Sequence, residues 1–145
     1  MTPQITNRGL WGNDAIRWDE EALQAAVVWW LKQQERNGVR FTFAGDMNAG
    51  KRGPRAAAAA KATGMRAGEP DLRIYLPVGI GKTPVLFLEL KTDRGRLSDA
   101  QKLRHDELRE LGHRVETVKA ATPTGMIANV AAVLADVGVK LETGL

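Results

Sequence analysis

Cysteine is absent from this 145-residue chain, which excludes disulfide bonds and metal sites built from thiolates. Long apolar runs are absent as well, and no stretch reaches the length needed to cross a bilayer. Residues 1–14 lack the apolar segment of a secretory signal peptide. These absences lead us to expect a cytoplasmic protein without a membrane partner.

Acidic residues are sparse in the middle of the chain, where basic residues accumulate. Lysines and arginines recur between positions 51 and 73 with few acids among them, and two arginines follow at 94 and 96. The formal net charge of the whole chain is +4. This balance is compatible with a nucleic-acid partner, although many unrelated basic proteins share it.

A nucleotide-binding P-loop is also missing. The run Gly81-Lys82-Thr83 matches the end of that motif, which requires a further glycine five positions before Gly81. Leu76 stands there, and a strand rather than a helix is predicted to follow. We therefore interpret residues 79–83 as a hairpin turn, and no motif for a small-molecule enzyme remains.

The length suits one domain with a hydrophobic core and is short for two. Residues 1–13 are predicted to form an N-terminal arm, and residues 14–145 a single domain. Periodicity and capping signals predict, in order, a helix, a strand, a helix, a hairpin, a helix, a strand and a helix. We expect an α/β or α+β fold in which helices flank a mixed sheet.

The first predicted helix spans residues 19–36, with Asp19 and Asp14 as candidate caps. Nearly every position from 22 to 31 is apolar, which is wider than one core-facing stripe. Two explanations stay open. The helix is buried between the sheet and another helix, or Trp29 and Trp30 contribute to a dimer interface.

The segment 68–91 predicts two strands joined by a glycine-containing turn. Asp71 opens the first strand, and Glu89 and Lys91 close the second, where their spacing of two puts them on one face. A hairpin symmetric about Ile80 and Gly81 would pair Asp71 with Leu90. Two carboxylates beside an ammonium group suit Mg²⁺ or Mn²⁺, although an ordinary salt bridge at a strand end would look the same.

The pattern Pro70-Asp71 followed by Glu89-Leu90-Lys91 resembles the PD-(D/E)XK nuclease signature. The ordered series GKRGPRAAAAAKATGMRAGEPDL, FLELK, GRLSDAQ and LGHRVETV resembles the VRR-NUC branch of that superfamily. This resemblance covers nearly the whole chain and implies a restriction-endonuclease-like core. It also implies metal-dependent hydrolysis of a DNA phosphodiester.

The resemblance assigns roles to individual residues. The implied catalytic residues are Asp71, Glu89, Lys91, Gln101 and Glu20. The implied ligands of Mg²⁺ or Mn²⁺ are Asp71, Glu89 and the carbonyl of Leu90, with Glu20 as an optional further ligand. The basic residues implied to contact DNA are Lys51, Arg52, Arg55, Lys61, Arg66, Arg94 and Arg96.

Two details of the site stay open. The family places an acid on the first helix, where both Glu20 and Glu21 stand; Glu20 is preferred because it shares a face with Leu23 and Val27. Glu69, where relatives carry a small or apolar residue, would add negative charge near the metal. His105 and His113 are interpreted as surface or packing residues rather than ligands.

The expected substrate rests on analogy with other small proteins of this family. Small VRR-NUC proteins resemble Holliday-junction resolvases, so a homodimer acting on branched DNA is the expectation. A flap or nicking nuclease would share every residue named above. A non-catalytic DNA-binding module is the alternative of another class, but binding alone does not require acids that face phosphate.

Overall fold

The fold is described here from a computed structural model, which covers residues 4–5, 16–46, 53–79 and 83–142. Its elements are β1 (Gln4–Ile5), β2 (Ile16–Arg17), α1 (Glu20–Arg36), β3 (Thr42–Gly45), α2 (Pro54–Ala62), β4 (Leu72–Tyr75), β5 (Val85–Thr92), α3 (Asp99–Glu110), β6 (Arg114–Ala120) and α4 (Pro123–Asp136). The predicted order of helices and strands from α1 to α4 is confirmed.

Four strands form the main sheet in the order β3-β4-β5-β6. The first two pairs are antiparallel, whereas β5 and β6 run parallel. Parallel neighbours need a long crossover connection, and α3 supplies it. A separate antiparallel pair joins β1 to β2. The expected mixed sheet flanked by helices is therefore confirmed.

Side-chain caps fix where the helices begin. The carboxyl of Asp19 accepts a hydrogen bond from the Ala22 N–H at 2.8 Å, so Asp19 caps α1. At α3, the Ser98 hydroxyl and the Gln101 side chain form a reciprocal capping box. The Thr122 hydroxyl accepts from the Gly125 N–H at 3.1 Å and caps α4.

The two faces of the sheet are covered differently. On one face, the buried leucines of β5 pack with α1 and α4 in the larger core cluster. On the other face, Phe87 packs against Leu108 of α3 and Val115 of β6. Strand β5 therefore lies between two layers of helices, and its residues from Leu86 to Lys91 are all buried.

The wide apolar band of α1 has an intramolecular explanation for one of its two tryptophans. Trp30 is only 1% exposed and belongs to the core, so its predicted contribution to a dimer interface is wrong. Trp29 is 57% exposed. Because α1 contacts both α4 and β5, its apolar residues meet two different neighbours.

The register of the hairpin differs by one residue from the prediction. Leu72 pairs with Leu88, so the hairpin is centred on Ile80 rather than between Ile80 and Gly81. Asp71 consequently precedes the first residue of β4 and does not pair with Leu90 through its backbone. The centre of the turn lies outside the described residues, but the ladder on either side sets this register.

Candidate functional site

Asp71 closes the end of the β4–β5 ladder through its side chain. The ladder ends at the Leu72–Leu88 pair, which leaves the N–H of Leu90 beyond it. The Asp71 carboxyl accepts a hydrogen bond from that N–H at 2.7 Å. The backbone carbonyl of Asp71 accepts from the Asp46 N–H at 2.8 Å. These two bonds hold the carboxyl beside the end of β5.

Glu89 is the most deeply buried acid of the site, at 1% exposure. Burial is the main cause that raises the pKa of its carboxyl to about 9, followed by a hydrogen bond with Asp71 and the charge of Asp71. The charge of Lys91 acts to lower the pKa of Glu89. Without a bound cation, the carboxyl of Glu89 therefore favours its neutral form at neutral pH.

Lys91 shares the end of β5 with these acids. Its ammonium Nζ lies 3.4 Å from Oε1 of Glu20, at the start of α1. The Lys91 side chain is 9% exposed and that of Glu20 46% exposed. The ion pair thus lies at the solvent boundary of the site. Of the two candidate acids on the first helix, Glu20 is the one that contacts Lys91.

His105 of α3 contacts the same group of residues. Its Nε2 lies 3.2 Å from Oε1 of Glu89, and the imidazole is fully buried. Burial is the main cause that lowers the pKa of His105, and the positive charge of Arg109 acts in the same direction. His105 was expected among the surface or packing residues, and this contact was missed. The available signal was its position four residues after Gln101, on the same face of α3.

Gln101 is held by the cap of α3. Its Oε1 accepts from the Ser98 N–H at 2.9 Å, while its own N–H donates to the Ser98 hydroxyl at 3.1 Å. Gly68 packs directly on this turn with a φ of +81°. A Cβ at Gly68 would overlap the backbone carbonyl of Ala100. The segment that leads into Asp71 therefore contacts the first turn of α3 at backbone distance.

Glu69 does not add negative charge to the site, and that expectation is wrong. Its carboxylate pairs with Arg104 at 2.8 Å and with Arg73 at 3.3 Å. Both arginines are partly buried, so the charge of Glu69 is neutralised where it stands. The pair with Arg104 also ties the segment before Asp71 to α3, one residue before His105.

The basic residues predicted to contact DNA lie at the surface wherever the structure describes them. Arg55 and Lys61 are exposed on α2, which buries no residue. Arg66 is exposed and pairs with Glu107 at 3.6 Å. Arg94 and Arg96 are exposed in the loop after β5, and Arg94 lines one cleft with Glu20. Lys51 and Arg52 lie outside the described residues.

The oxygen donors of the site fit a hard divalent cation. Burial and the neighbouring Asp71 carboxyl raise the pKa of Glu89, and a divalent cation would favour its charged form by pairing with the negative charge. Among the described residues, no three side chains of histidine, aspartate or glutamate are grouped as a metal site. A bound cation would therefore need oxygen ligands from the backbone or solvent to complete the set, as Mg²⁺ accepts.

The fold and the site together define a class of protein. A mixed sheet whose central strand brings a glutamate and a lysine beside an aspartate has the architecture of a restriction-endonuclease-like nuclease domain. Within the described residues, no helix is both long and apolar enough to span a membrane.

Comparison with known proteins identifies the family. A family model described as the VRR-NUC domain matches residues 13–122. A solved structure named "VRR_NUC domain protein" is 24% identical, with a TM-score of 0.57 over 83% of this chain and 88% of that chain. Another, named "VRR_NUC domain", is 16% identical, with a TM-score of 0.46 over 77% of this chain and 94% of that chain. No curated protein was matched. The chain belongs to the VRR-NUC family of nuclease domains.

Proposed function

We propose that this chain is a metal-dependent DNA endonuclease that hydrolyses phosphodiester bonds and prefers branched DNA. The observation that carries the proposal is the grouping of Asp71, Glu89 and Lys91 at one end of β5. Burial opposes the charged form of Glu89, and burying a lysine side chain costs free energy unless it is paired. A purely structural role therefore gives little reason to place both residues there. A non-catalytic DNA-binding module would gain nothing from two acids at this place.

Asp71, Glu89 and the carbonyl of Leu90 are the proposed ligands, with Glu20 as a further acid at the edge of the site. Bound Mg²⁺ or Mn²⁺ would supply Lewis acidity, activating water and neutralising charge on the phosphate. The hydrogen bond from the Leu90 N–H holds the Asp71 carboxyl beside the end of β5. The chain's contribution is thus a fixed set of hard oxygen donors.

Lys91 is the proposed catalytic lysine. Its ammonium lies at the solvent boundary of the site, where it can orient the attacking water and stabilise negative charge that develops on the phosphate. Glu20 restrains the ammonium through the 3.4 Å ion pair. Gln101 is proposed to orient water or phosphate, which requires its side chain to share or leave the bond with the Ser98 N–H.

The proposed DNA contacts flank this site. Arg94 and Arg96 follow β5 directly, and Arg94 lines the cleft that Glu20 also lines. The other proposed contacts are Lys51, Arg52, Arg55, Lys61 and Arg66. Exposed guanidinium and ammonium groups bind phosphate without reading base sequence. Selection of a substrate by its shape is therefore more consistent with this surface than selection by sequence.

The preference for branched DNA and the homodimer rest on the resemblance to junction resolvases. A four-way junction has two-fold symmetry, which a two-fold dimer matches with one site for each of two symmetry-related strands. Exposed Trp29 on α1 is the described residue proposed to lie in the dimer interface. A flap or nicking nuclease would use the same catalytic residues, so the substrate decides between them.

The deciding experiment is cleavage of labelled four-way junction, flap, duplex and single-stranded DNA with Mg²⁺, Mn²⁺ or EDTA. We expect metal-dependent cutting that is fastest on the junction and is lost in Asp71→Ala and Lys91→Ala. Fastest cutting of the flap or of one strand of the duplex would replace the resolvase by a flap or nicking nuclease. DNA binding without cutting, with affinity unchanged in both variants, would contradict the proposed nuclease activity.

A further inference from the structure

His105 is a fully buried polar residue whose one described contact to an acid is with Glu89. Its Nε2 faces Oε1 of Glu89 at 3.2 Å. Its other nitrogen, Nδ1, is buried without a hydrogen-bond partner among the described residues. Glu89 is itself only 1% exposed, so water has little access to either side chain. Glu89 is therefore the partner of the one His105 nitrogen that is paired, and His105 adds to the hydrogen bond that Glu89 makes with Asp71.

The surroundings decide which nitrogen carries the proton. A neutral imidazole has one N–H donor and one acceptor nitrogen. With the proton on Nε2, the donor meets an oxygen of the Glu89 carboxyl, which can accept in its neutral and in its charged form, and only the acceptor Nδ1 is left unpaired. With the proton on Nδ1, a buried N–H would have no acceptor, which folded proteins tolerate less well than an unpaired acceptor. The contact thus favours donation from Nε2 to Glu89.

The helix that carries His105 is fixed relative to the Asp71 segment by two contacts. Gly68 packs on the Ala100 backbone, and Arg104 binds Glu69 at 2.8 Å. The capping box orders the first turn of the same helix. His105 directly follows Arg104 in the chain. Its imidazole therefore reaches Glu89 from a helix whose position is set by the same segment that carries the other acid.

We propose that His105 is a positioning residue for Glu89: its Nε2–H holds Oε1, so that the carboxylate is presented toward Asp71 and a bound divalent cation. The inference deepens the proposed function and rests on it. His105 touches neither the cation nor DNA. Holding one oxygen restrains rotation of the carboxyl group and lowers the entropy that metal binding would otherwise have to remove.

The first test measures the affinity of the whole chain for Mn²⁺ by titration calorimetry, without DNA. His105→Leu introduces an apolar side chain of similar size and removes the donor. We expect the affinity of this variant for Mn²⁺ to fall by about 10- to 100-fold. His105→Gln retains an N–H donor and should recover most of the loss. His113→Leu is the matched control, because His113 packs edge-on against Phe87 and not against Glu89.

A structural role is separated from a positioning role by melting each variant in EDTA and in Mn²⁺. Loss of packing lowers both melting temperatures together. Loss of positioning makes the increase in melting temperature on adding Mn²⁺ smaller, because that increase depends on the affinity of Mn²⁺ for the folded state. Equal losses of affinity in His105→Leu and His105→Gln, or unchanged affinity in His105→Leu, would overturn the proposal.

A second measurement needs no variant of His105. The chain has two histidines, so the ¹⁵N signals of the Mg²⁺-loaded protein are assignable with His113→Leu alone. We expect the proton of His105 on Nε2; a proton on Nδ1 would overturn the proposal even if His105→Leu failed to fold. If wild type binds no metal and cuts no DNA, the proposed function fails as well. If only the His105 results fail, the nuclease stands.

Discussion

The ionisable groups at the end of β5 are buried, whereas the cations of the basic surface around it are exposed. Glu89, Lys91 and His105 are buried and in contact with fixed partners. Arg94 and Arg96 are exposed in the loop that follows the same strand. A distance of a few residues along the chain thus separates desolvated groups from solvated ones.

The contrast shows why the two regions should respond differently to mutation. The pKa of a buried ionisable group depends on burial and on the position of its neighbours. Small structural changes at the end of β5 should therefore affect the rate of cleavage. An exposed cation interacts with phosphate through screened charge, so its loss should affect affinity and salt dependence. The following predictions test whether this division holds.

The largest effect is expected from Lys91→Met, which keeps the apolar stem and removes the ammonium. Single-turnover cleavage should slow by at least about 10²-fold, because one preorganised group that stabilises developing charge is lost. Affinity for DNA, measured in Ca²⁺ or EDTA, should stay near that of wild type. Lys140→Met, which changes an exposed lysine, is the control. A parallel loss of affinity and rate would contradict the division.

Gly68→Ala should cause the next largest effect, on stability. A left-handed backbone costs about 1–2 kcal/mol for a residue with a Cβ, and overpacking adds about 1–3 kcal/mol, here against the Ala100 carbonyl. Urea unfolding measures the change. Gly112→Ala is the control, because Gly112 has a φ of +94° and open space around its Cβ. Equal losses in both variants would rule out the close packing of Gly68.

Glu89 should make the metal-free protein less stable as pH rises. The folded pKa of about 9 lies above the ordinary 4.5, so between these values the folded state binds more protons than the unfolded state. Its contribution is complete below about pH 4.5 and is lost progressively toward pH 9. Melting in EDTA from pH 5 to 9 should show a flatter slope for Glu89→Gln, which stays neutral.

Glu110→Gln serves as the control for that experiment, because Glu110 is exposed at the end of α3. Its melting temperatures should follow the wild-type slope. An unchanged slope in Glu89→Gln would show that other groups determine the pH dependence. It would also contradict the raised pKa of Glu89.

The smallest effect is expected from Arg94→Gln combined with Arg96→Gln. DNA affinity should fall by a few-fold at moderate salt, and the salt slope should decrease by about one for each phosphate that the variant no longer binds. The single-turnover cleavage rate at saturating protein should stay near that of wild type. Arg40→Gln with Lys140→Gln, two exposed cations that line a cavity at the other end of β4, is the control. Loss of rate in the arginine pair would extend the catalytic region into the loop.

Much of the architecture was predictable because its signals are local. Asp19, a predicted cap, precedes α1 within one residue of the predicted start, since a cap acts within one turn. The spacing of two along a strand predicted that Glu89 and Lys91 share a face, and both are buried at the site. The ordered motifs also predicted the family.

The errors concern contacts between distant segments. The hairpin register was wrong by one residue, because apolar residues on both faces of buried β5 give no alternation to fix it. Glu69 was expected near the metal, but Arg104, distant in sequence, binds it. The contact of His105 with Glu89 was missed because its spacing of four from Gln101 indicates a shared face of α3 but not the residue that this face meets.

The sequence by itself determined the kinds of chemical group that this protein can use and the helices and strands that carry them, because caps, periodicity and motif spacing act over a few residues. Only the tertiary structure decided which acid of α1 meets Lys91, what neutralises Glu69 and what holds Glu89. Those outcomes depend on the packing of α1 and α3 against β5. Desolvation and pairing are properties of that packing, and no short segment of the chain specifies them alone.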